Sequence, residues 1–487
     1  MQRTVIIDPI TRLEGHGKIV IFLDEEGDVR NAYLQVPEIR GFEKFCEGRP
    51  AEEMPTITSR ICGVCPTAHH MVSAKALDDL WKVEPPISAK KIRELFYSIF
   101  MLEDHMLHFF YLGGPDFIVG LTAPKEERNI IGVLKKVGLE IGSKVIKIRR
   151  ELREILQIMG GKAIHPVLCV PGGVVKPLKK ETVERIKDLS KRSIEFVQFV
   201  ISLFHNAVLQ KKEYFDLITS EIYHNRTYYG GIVDDNNKVN FYDGWIRFVD
   251  PNGKEYAKFK APNYLNYIAE HVEEWSYIKF PFLKEIGWKG FVDGEDSGIY
   301  RVAPLARLNV SDGMATPLAQ SEYEKMYETL GGKPVHYTLA FHWARLIESL
   351  YAAENIFRLA NDPDILDPKV RTIPTSTPKE GVGVVEAPRG LLIHHYWTDE
   401  NGIIEKANII VATQHNAAAI NMGIQKSARA WIKKGNIDEG ILNLVEITFR
   451  AYDPCHACGT HAFPGNYPLK IEIYDHNGEK IKEFSYM

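Results

Sequence analysis

An excess of either charge is what this sequence lacks: 60 Lys and Arg stand against 64 Asp and Glu, a formal net charge of −4 over 487 residues. Binding nucleic acid takes clustered positive charge to neutralise phosphates, so no nucleic-acid role is expected. The basic stretch Lys144 to Arg153 alternates with Ile and Leu and reads as the solvated face of a helix. Long apolar runs are also missing. The best, Ile194 to Phe204, is interrupted by Glu195 and Gln198 and is too short to span a bilayer. The first residues, Met1 to Pro9, show neither a long apolar stretch nor a small-residue cleavage site, so a cytoplasmic protein without a membrane span is expected. Cysteine is sparse, six in all, which excludes a disulfide scaffold. What is present, 45% hydrophobic and 25% charged residues, is ordinary for globular chains and excludes disorder or fibre. The length suffices for two to four domains.

Strand signals open the chain. Lys18 to Asp24 and Val29 to Val36 are apolar-rich runs around Glu25-Glu26-Gly27-Asp28, a hairpin signal. Similar turns recur at Asp250-Pro251-Asn252-Gly253, Asp399-Glu400-Asn401-Gly402 and Asp475-His476-Asn477-Gly478. Apolar recurrence at helical spacing predicts helices over Ala89 to Leu112, Gly142 to Met159, Val183 to Asn206, Tyr337 to Leu359 and Asn416 to Lys434. Between Ile222 and Pro334 Gly, Asp, Tyr and Trp become commoner and the strand-like runs short, which predicts a β-rich subdomain. Arg371 to Gly383, rich in Pro, Thr and Gly, reads as a connecting loop. The sum is an α+β protein, a large helical core with flanking mixed pieces. Its expected parts are a mixed, β-rich segment over 1–60, a helical core over 61–221, a β-rich subdomain over 222–335, a helical and mixed part over 336–461 and a tail over 462–487.

Four of the cysteines form two Cys-x-x-Cys pairs, a spacing that points to metal or redox chemistry. The first lies in Ser59-Arg60-Ile61-Cys62-Gly63-Val64-Cys65-Pro66-Thr67-Ala68-His69. Pro66 suits the first turn of a helix, where its missing N–H costs nothing. Cys65 and His69 then stack on one helical face, where His69 could hydrogen-bond the Cys65 sulfur and tune it. Taken alone, this pair is as readily a redox disulfide or half a zinc site as anything else. The second pair lies in Asp453-Pro454-Cys455-His456-Ala457-Cys458-Gly459-Thr460-His461, and 390 positions (455 − 65) separate Cys65 from Cys455. A zinc ribbon separates its pairs by roughly 15–20 residues, so that reading fits poorly. Two lone redox motifs remain open, without a thioredoxin-like context for either. Four thiolates suit a soft metal, and bridging lets four sulfurs serve two metal ions.

These residues carry a resemblance. Arg60-Ile61-Cys62-Gly63-Val64-Cys65 with His69, and Asp453-Pro454-Cys455 with Cys458 and His461, look like the paired signatures of nickel–iron hydrogenase large subunits. Arg12-Leu13-Glu14-Gly15-His16, Arg40-Gly41-Phe42-Glu43 and Glu386-Ala387-Pro388-Arg389-Gly390 stand where that family has such segments. Tyr229-Gly230-Gly231-Ile232-Val233 and Asp293-Gly294-Glu295-Asp296-Ser297-Gly298 most resemble its cytoplasmic, viologen-reducing and non-deazaflavin-reducing type, which works with the heterodisulfide reductase of methanogens.

The resemblance implies the large-subunit fold and a role for each matched residue. Cys62 and Cys455 would be terminal ligands of nickel, and Cys65 and Cys458 would bridge it to an iron carrying carbon monoxide and cyanide. Dihydrogen would split heterolytically there, with Cys455 the first proton acceptor and Glu14 the next, its pKa lifted by burial. Arg389, beside Pro388, would hang over the open site as base or polarising group, held by Asp116 or Asp453. Thr413, next to Ala412, would contact a cyanide; here Ala412 stands for a frequent proline, and Gln414-His415-Asn416 for a Thr-Trp-Asn type of ending. Glu43, His461 and the carbonyl of Ile409 would hold magnesium, or iron. Cys46 and Cys169 have no partner at useful spacing and read as buried thiols.

Family precursors are cut after the last histidine of the second motif, so a maturation endoprotease would remove the 26 residues after His461 (487 − 461). With all paired cysteines at one site, electrons would need a small subunit with iron–sulfur clusters, and beyond it a small iron–sulfur adaptor and heterodisulfide reductase. The rival readings are a hydrogen sensor with the same metals, a catalytically idle relative such as the quinone-site subunit of respiratory complex I, which lacks the four cysteines, and a zinc-binding scaffold.

Overall fold

The Glu25-Glu26-Gly27-Asp28 turn closes the first hairpin, as its composition predicts. Strands β1 (Thr4–Ile7), β2 (Lys18–Leu23) and β3 (Val29–Gln35) form an antiparallel sheet in that order. The computed structural model describes residues 4–8 and 11–461, and the backbone of 469–474 and 480–486.

The helical centre comprises α1 (Pro66–Leu80), α2 (Ile87–Leu107), α3 (Leu139–Gly160), α4 (Lys180–Phe204) and α5 (Phe341–Ala360). Helix α5 packs against both α2 and α4. It is buried around nearly its whole circumference, the pattern of a central helix. The strands β4 (Tyr228–Val233), β5 (Trp245–Val249), β6 (Glu255–Phe259) and β7 (Tyr300–Arg301) form a sheet of order β7-β4-β5-β6. The Asp250 to Gly253 turn joins β5 to β6. Two helices in this stretch, Pro304–Val310 and Pro317–Thr329, were not legible from its β-like texture. Each carries a proline in its first turn, a start signal that was there to read.

Strands β8 (Glu380–Ala387), β9 (Gly390–Thr398) and β10 (Ile404–Ile410) form a three-stranded antiparallel sheet. The stretch expected as a loop up to Gly383 therefore gives way to strand at Glu380. The glycines there have a packing use: a Cβ on Gly383 would lie 2.2 Å from the Val72 carbonyl oxygen, so only glycine lets β8 ride on the backbone of α1.

Helix α6 (Ala412–Trp431) begins four residues before its expected start. Its N-cap, Val411, has no capping oxygen, and the Gln414 side chain accepts from the Val411 N–H at 2.7 Å instead. Helix α7 (Glu439–Tyr452), unread from the sequence, is capped by Asp438, whose carboxylate accepts from the Ile441 N–H at 2.8 Å. The short α8 (His456–Gly459) follows. Beyond it β11 (Leu469–Tyr474) and β12 (Lys480–Tyr486) pair antiparallel, while the Asp475 to Gly478 turn lies outside the described residues. Among the described residues no helix is long and apolar enough to cross a membrane.

Candidate metal centre

The two cysteine pairs close on one another. Cys62 follows a tight turn over Thr58–Ile61, and its Sγ accepts from the Val64 and Cys65 N–H groups, each at 3.2 Å. Cys65 is the N-cap of α1, and Cys455 that of α8. Between α7 and α8 the chain reverses at Asp453, which takes a left-handed conformation (φ 57°) that Asp tolerates. The sulfurs of Cys62 and Cys455 lie 3.3 Å apart, those of Cys65 and Cys458 3.2 Å, and those of Cys455 and Cys458 2.7 Å. All four ligand atoms fall within 4.8 Å of one another, all are buried, and none is in a disulfide. Burial opposes ionisation throughout the cluster and lifts Cys455 and Cys458 well above the ordinary thiol range. Cys62 is the exception: burial works against its thiolate, but the surrounding thiols donate to it and bring it well below that range. A soft cation would replace these shared protons, so the donor set fits a thiolate-bound metal.

Glu14 reaches this cluster from the N-terminal segment. It forms an isolated parallel bridge with Cys455, its carbonyl accepting from the His456 N–H at 2.9 Å. Gly15 makes the approach feasible: its φ is +81°, and a Cβ there would lie 2.7 Å from the Ala457 nitrogen. The Glu14 Oε2 accepts from the Cys455 thiol at 2.9 Å and the Ala457 N–H at 3.1 Å. Burial, then the Cys62 thiolate, raises its carboxyl above the ordinary range.

Arg389 sits in the two-residue turn between β8 and β9, where Ala387 pairs with Gly390. Its side chain is 2% exposed. One guanidinium nitrogen donates to Asp104 Oδ2 at 3.3 Å, and another lies 2.9 Å from Asp453 Oδ2 as an ion contact rather than an aligned hydrogen bond. Burial lifts both carboxyls, against the pull of Arg389. The pairing with Asp453 is as expected. The pairing with Asp116 is not made. Asp116 sits in the short helix Gly114–Ile118, beyond the end of α2, and its carboxylate is taken by Arg12 at 2.6 Å and Arg450 at 3.1 Å. Sequence reading missed Asp104, although Glu103-Asp104-His105 is a conspicuous polar run inside an apolar helix. Asn416 donates to the Arg389 carbonyl at 3.2 Å and accepts from the Val302 N–H at 2.8 Å, fixing the turn from α6.

Thr413, in the first turn of α6, places its hydroxyl 2.9 Å from the Cys455 N–H, which donates to it. Ala412 and Pro388 are buried beside these elements. His69 makes no hydrogen bond to Cys65. Its Nδ1 lies 3.1 Å from His394 Nε2, and its Nε2 is buried without a partner among the described residues.

A second, oxygen-rich corner lies at the end of the described core. The Glu43 carboxylate accepts from the Ile409 N–H at 2.6 Å and stands 3.7 Å from His461 Nε2, which also contacts the Ile409 carbonyl. The His461 Nδ1 bonds the Cys458 carbonyl at 2.5 Å, tying this corner to the sulfur cluster. Glu270, unmarked by any sequence motif, is a buried carboxyl that burial, and then the nearby charge of Glu43, holds above the ordinary range; one of its oxygens is without a partner among the described residues, and the other pairs with Lys279 at 3.4 Å. The carboxylate of Glu43, the carbonyl of Ile409 and His461, meeting at one corner, are donors that fit a hard cation.

Residues 40–135 and 233–461 match the family described as Nickel-dependent hydrogenase. The chain belongs to that family. Residues 4–39 match a further family described as HoxL-like. A relative from Archaeoglobus profundus, named as an iron-sulfur subunit of F420-non-reducing hydrogenase, is 48% identical over 99% of each chain. The corresponding F420-non-reducing hydrogenase chain of Methanothermobacter thermautotrophicus is 41% identical over 98% of each. Among solved structures, an NAD+-reducing [NiFe]-hydrogenase in the H2-reduced state superposes with a TM-score of 0.87 at 37% identity, covering 94% of this chain and 99% of that one. The protein is thus a hydrogenase large subunit, its helical core and flanking sheets those of the nickel–iron enzymes, and its four-cysteine cluster fits a nickel–iron centre.

Proposed function

We propose that this hydrogenase cleaves dihydrogen reversibly and heterolytically and passes the electrons to an iron–sulfur subunit. The observation that carries the reading is the cluster of four buried sulfurs with the Glu14 carboxylate 2.9 Å from one of them. Cys62 and Cys455 would be terminal ligands of nickel, and Cys65 and Cys458 its bridges to an iron bearing carbon monoxide and cyanide. When bound, the nickel–iron centre polarises dihydrogen. The chain's own residues handle the proton. Cys455 holds it at Sγ, and Glu14 takes it at Oε2, its affinity matched to the task by burial. Arg389 presents a fixed positive charge, held by Asp104 and Asp453, with Pro388 shaping the turn beside it. Thr413, after Ala412, holds the Cys455 backbone, and its hydroxyl would contact a cyanide when the centre is bound. Glu43, Ile409 and His461 would hold magnesium or iron, joining the last turn of the chain to β10.

Electrons need a carrier that this chain does not supply. Cys46 and Cys169 are single, buried thiols that burial pushes up to about 12. An iron–sulfur small subunit therefore receives them, in the cytoplasm, with a small iron–sulfur adaptor and heterodisulfide reductase beyond; that the F420-non-reducing relatives are named as lettered subunits supports an assembly of several chains. A maturation endoprotease removes the segment after His461. The experiment is an infrared spectrum of the purified, proteolytically mature complex. Carbon monoxide and cyanide bands that shift under dihydrogen are expected; their absence would remove the reading.

A further inference from the structure

The turn that carries Arg389 is gripped by its carbonyls from outside its own sheet. Four successive carbonyls each accept from a buried side chain. Tyr97, on α2, donates from its hydroxyl to the Glu386 carbonyl at 2.8 Å. Arg307, in the helix Pro304–Val310, donates to the carbonyls of Ala387 at 3.0 Å and Pro388 at 3.2 Å. Asn416, on α6, takes the fourth, that of Arg389 itself. All three side chains lie in the interior. None of the roles above uses Tyr97 or Arg307.

A guanidinium has five N–H donors in a rigid, planar fork, and Arg307 commits all five. Nε and Nη2 fork onto Glu348 at 2.5 and 2.6 Å, and Nη1 donates to Glu386 Oε2 at 2.7 Å. The two that remain go to the carbonyls of the turn. The carboxylates are tied in their turn: Glu348 Oε2 lies 3.0 Å from His105 Nε2, and Glu386 Oε1 accepts from the Ile232 N–H at 2.7 Å. Arg307 therefore cannot rotate without breaking several bonds at once. Arg389 is the reverse. Its Nη1 donates to Asp104, but its Nε and Nη2 have no hydrogen-bond partner among the described residues, and Nη2 makes only an ion contact with Asp453. Donors left open in this way are free to meet what occupies the metal site. A side chain with so few bonds of its own takes its aim from the backbone that carries it.

Resting on the function proposed above, we propose that Arg307 and Tyr97 are positioning residues: by holding three successive carbonyls of the turn they fix where Arg389 presents its open donors at the metal site. Neither touches the metals or dihydrogen. Both act through Arg389, which keeps its free N–H groups because its place is secured from behind rather than by bonds of its own.

The test is a double-mutant cycle on the complete, metal-loaded complex, reading dihydrogen/deuterium exchange per nickel. Arg307→Lys keeps the positive charge against Glu348 and Glu386 but offers three donors where five are used. A misplacement of about 1 Å can cost about 10²-fold in rate, so exchange should fall by about 10–10²-fold while nickel content holds. The same substitution is then made in an Arg389→Lys complex. A residue that acts only through Arg389 has nothing more to lose there, so exchange should fall no further. Tyr97→Phe removes one hydroxyl and one hold; it should act in the same direction but less, and serves should the lysine variant fail to fold. Equal falls in both backgrounds, exchange at the wild-type rate, or loss of nickel in whichever variant folds would overturn the positioning role alone. A wild-type complex without nickel or without exchange would overturn the parent reading and this one with it.

Discussion

The Glu14 carboxylate accepts from the Cys455 thiol at 2.9 Å, although 441 positions separate the two residues. On the function proposed above, that contact would make Glu14 the first carboxyl outside the sulfur cluster to receive a proton. Glu14→Gln keeps the shape and a hydrogen-bonding oxygen but loses the proton site. The expected result is retained nickel with dihydrogen/deuterium exchange lowered by about 10²–10⁴, the range for a lost general acid–base group. Exchange near the wild-type rate in a nickel-loaded variant would remove Glu14 from the route.

Asp104 and Asp116 are buried alike but serve different arginines, and replacing them should separate function from stability. Asp104→Asn loosens Arg389 at the site, so turnover should fall while nickel content holds. Asp116→Asn leaves Arg12 and Arg450 without their shared carboxylate charge. Breaking a buried ion pair by removing one partner costs about 3–5 kcal/mol, and Glu446, which also pairs with Arg450, offsets part of that loss. Thermal denaturation should therefore show the larger loss in the Asp116 variant, and hydrogen turnover per nickel the larger loss in the Asp104 variant.

Acid should destabilise the protein through its buried histidines. His342 and His415 are pressed by burial from 6.5 down to about 3 in the folded chain. Below 6.5 the unfolded chain binds protons that the folded chain refuses, so stability falls as pH drops from about 6.5 towards 3 and is restored as it rises. The melting temperature should decline through that window, and His342→Phe, which keeps an aromatic ring against His108, should flatten part of the decline.

Cysteine substitutions should sort the six thiols sharply. Cys62→Ser or Cys458→Ser removes one of four clustered sulfurs and should abolish nickel retention, read by metal analysis of the purified chain. Cys46→Ala, in a separate apolar cluster, should leave nickel in place.

The segment after His461 is 26 residues (487 − 461), and an active preparation should weigh less by that segment. An active complex whose large subunit has the full-length mass would refute cleavage.

The site was legible where its chemistry is written in rare residue patterns. The two Cys-x-x-Cys pairs announce themselves because few structural needs call for them, whereas Glu14 and Arg389 entered only through the resemblance that those pairs carry. The second circle of residues was not. Asp104, His394 and Glu270 lie within or beside regular elements, and only tertiary packing decides what faces them. Asp116 was named and Asp104 passed unnoticed because spacing along the chain says nothing of which buried carboxylate meets Arg389. The long helices followed from apolar spacing, whereas α7 and the two proline-led helices near Pro304 and Pro317 were hidden by polar or aromatic neighbours. The early start of α6 was unreadable because Gln414 caps it from inside the helix.

The sulfur cluster draws its halves from opposite ends of the chain, and this sets an order of events during synthesis. Translation at about 5–20 residues per second needs roughly 20–80 s to cross the 390 residues between Cys65 and Cys455 (455 − 65). For that time a nascent chain offers Cys62 and Cys65 as an unfinished chelate, open to whichever thiophilic ion reaches it first. Faithful loading must therefore wait for the ribosome to finish, and the choice of metal becomes a matter of timing and delivery as much as of affinity.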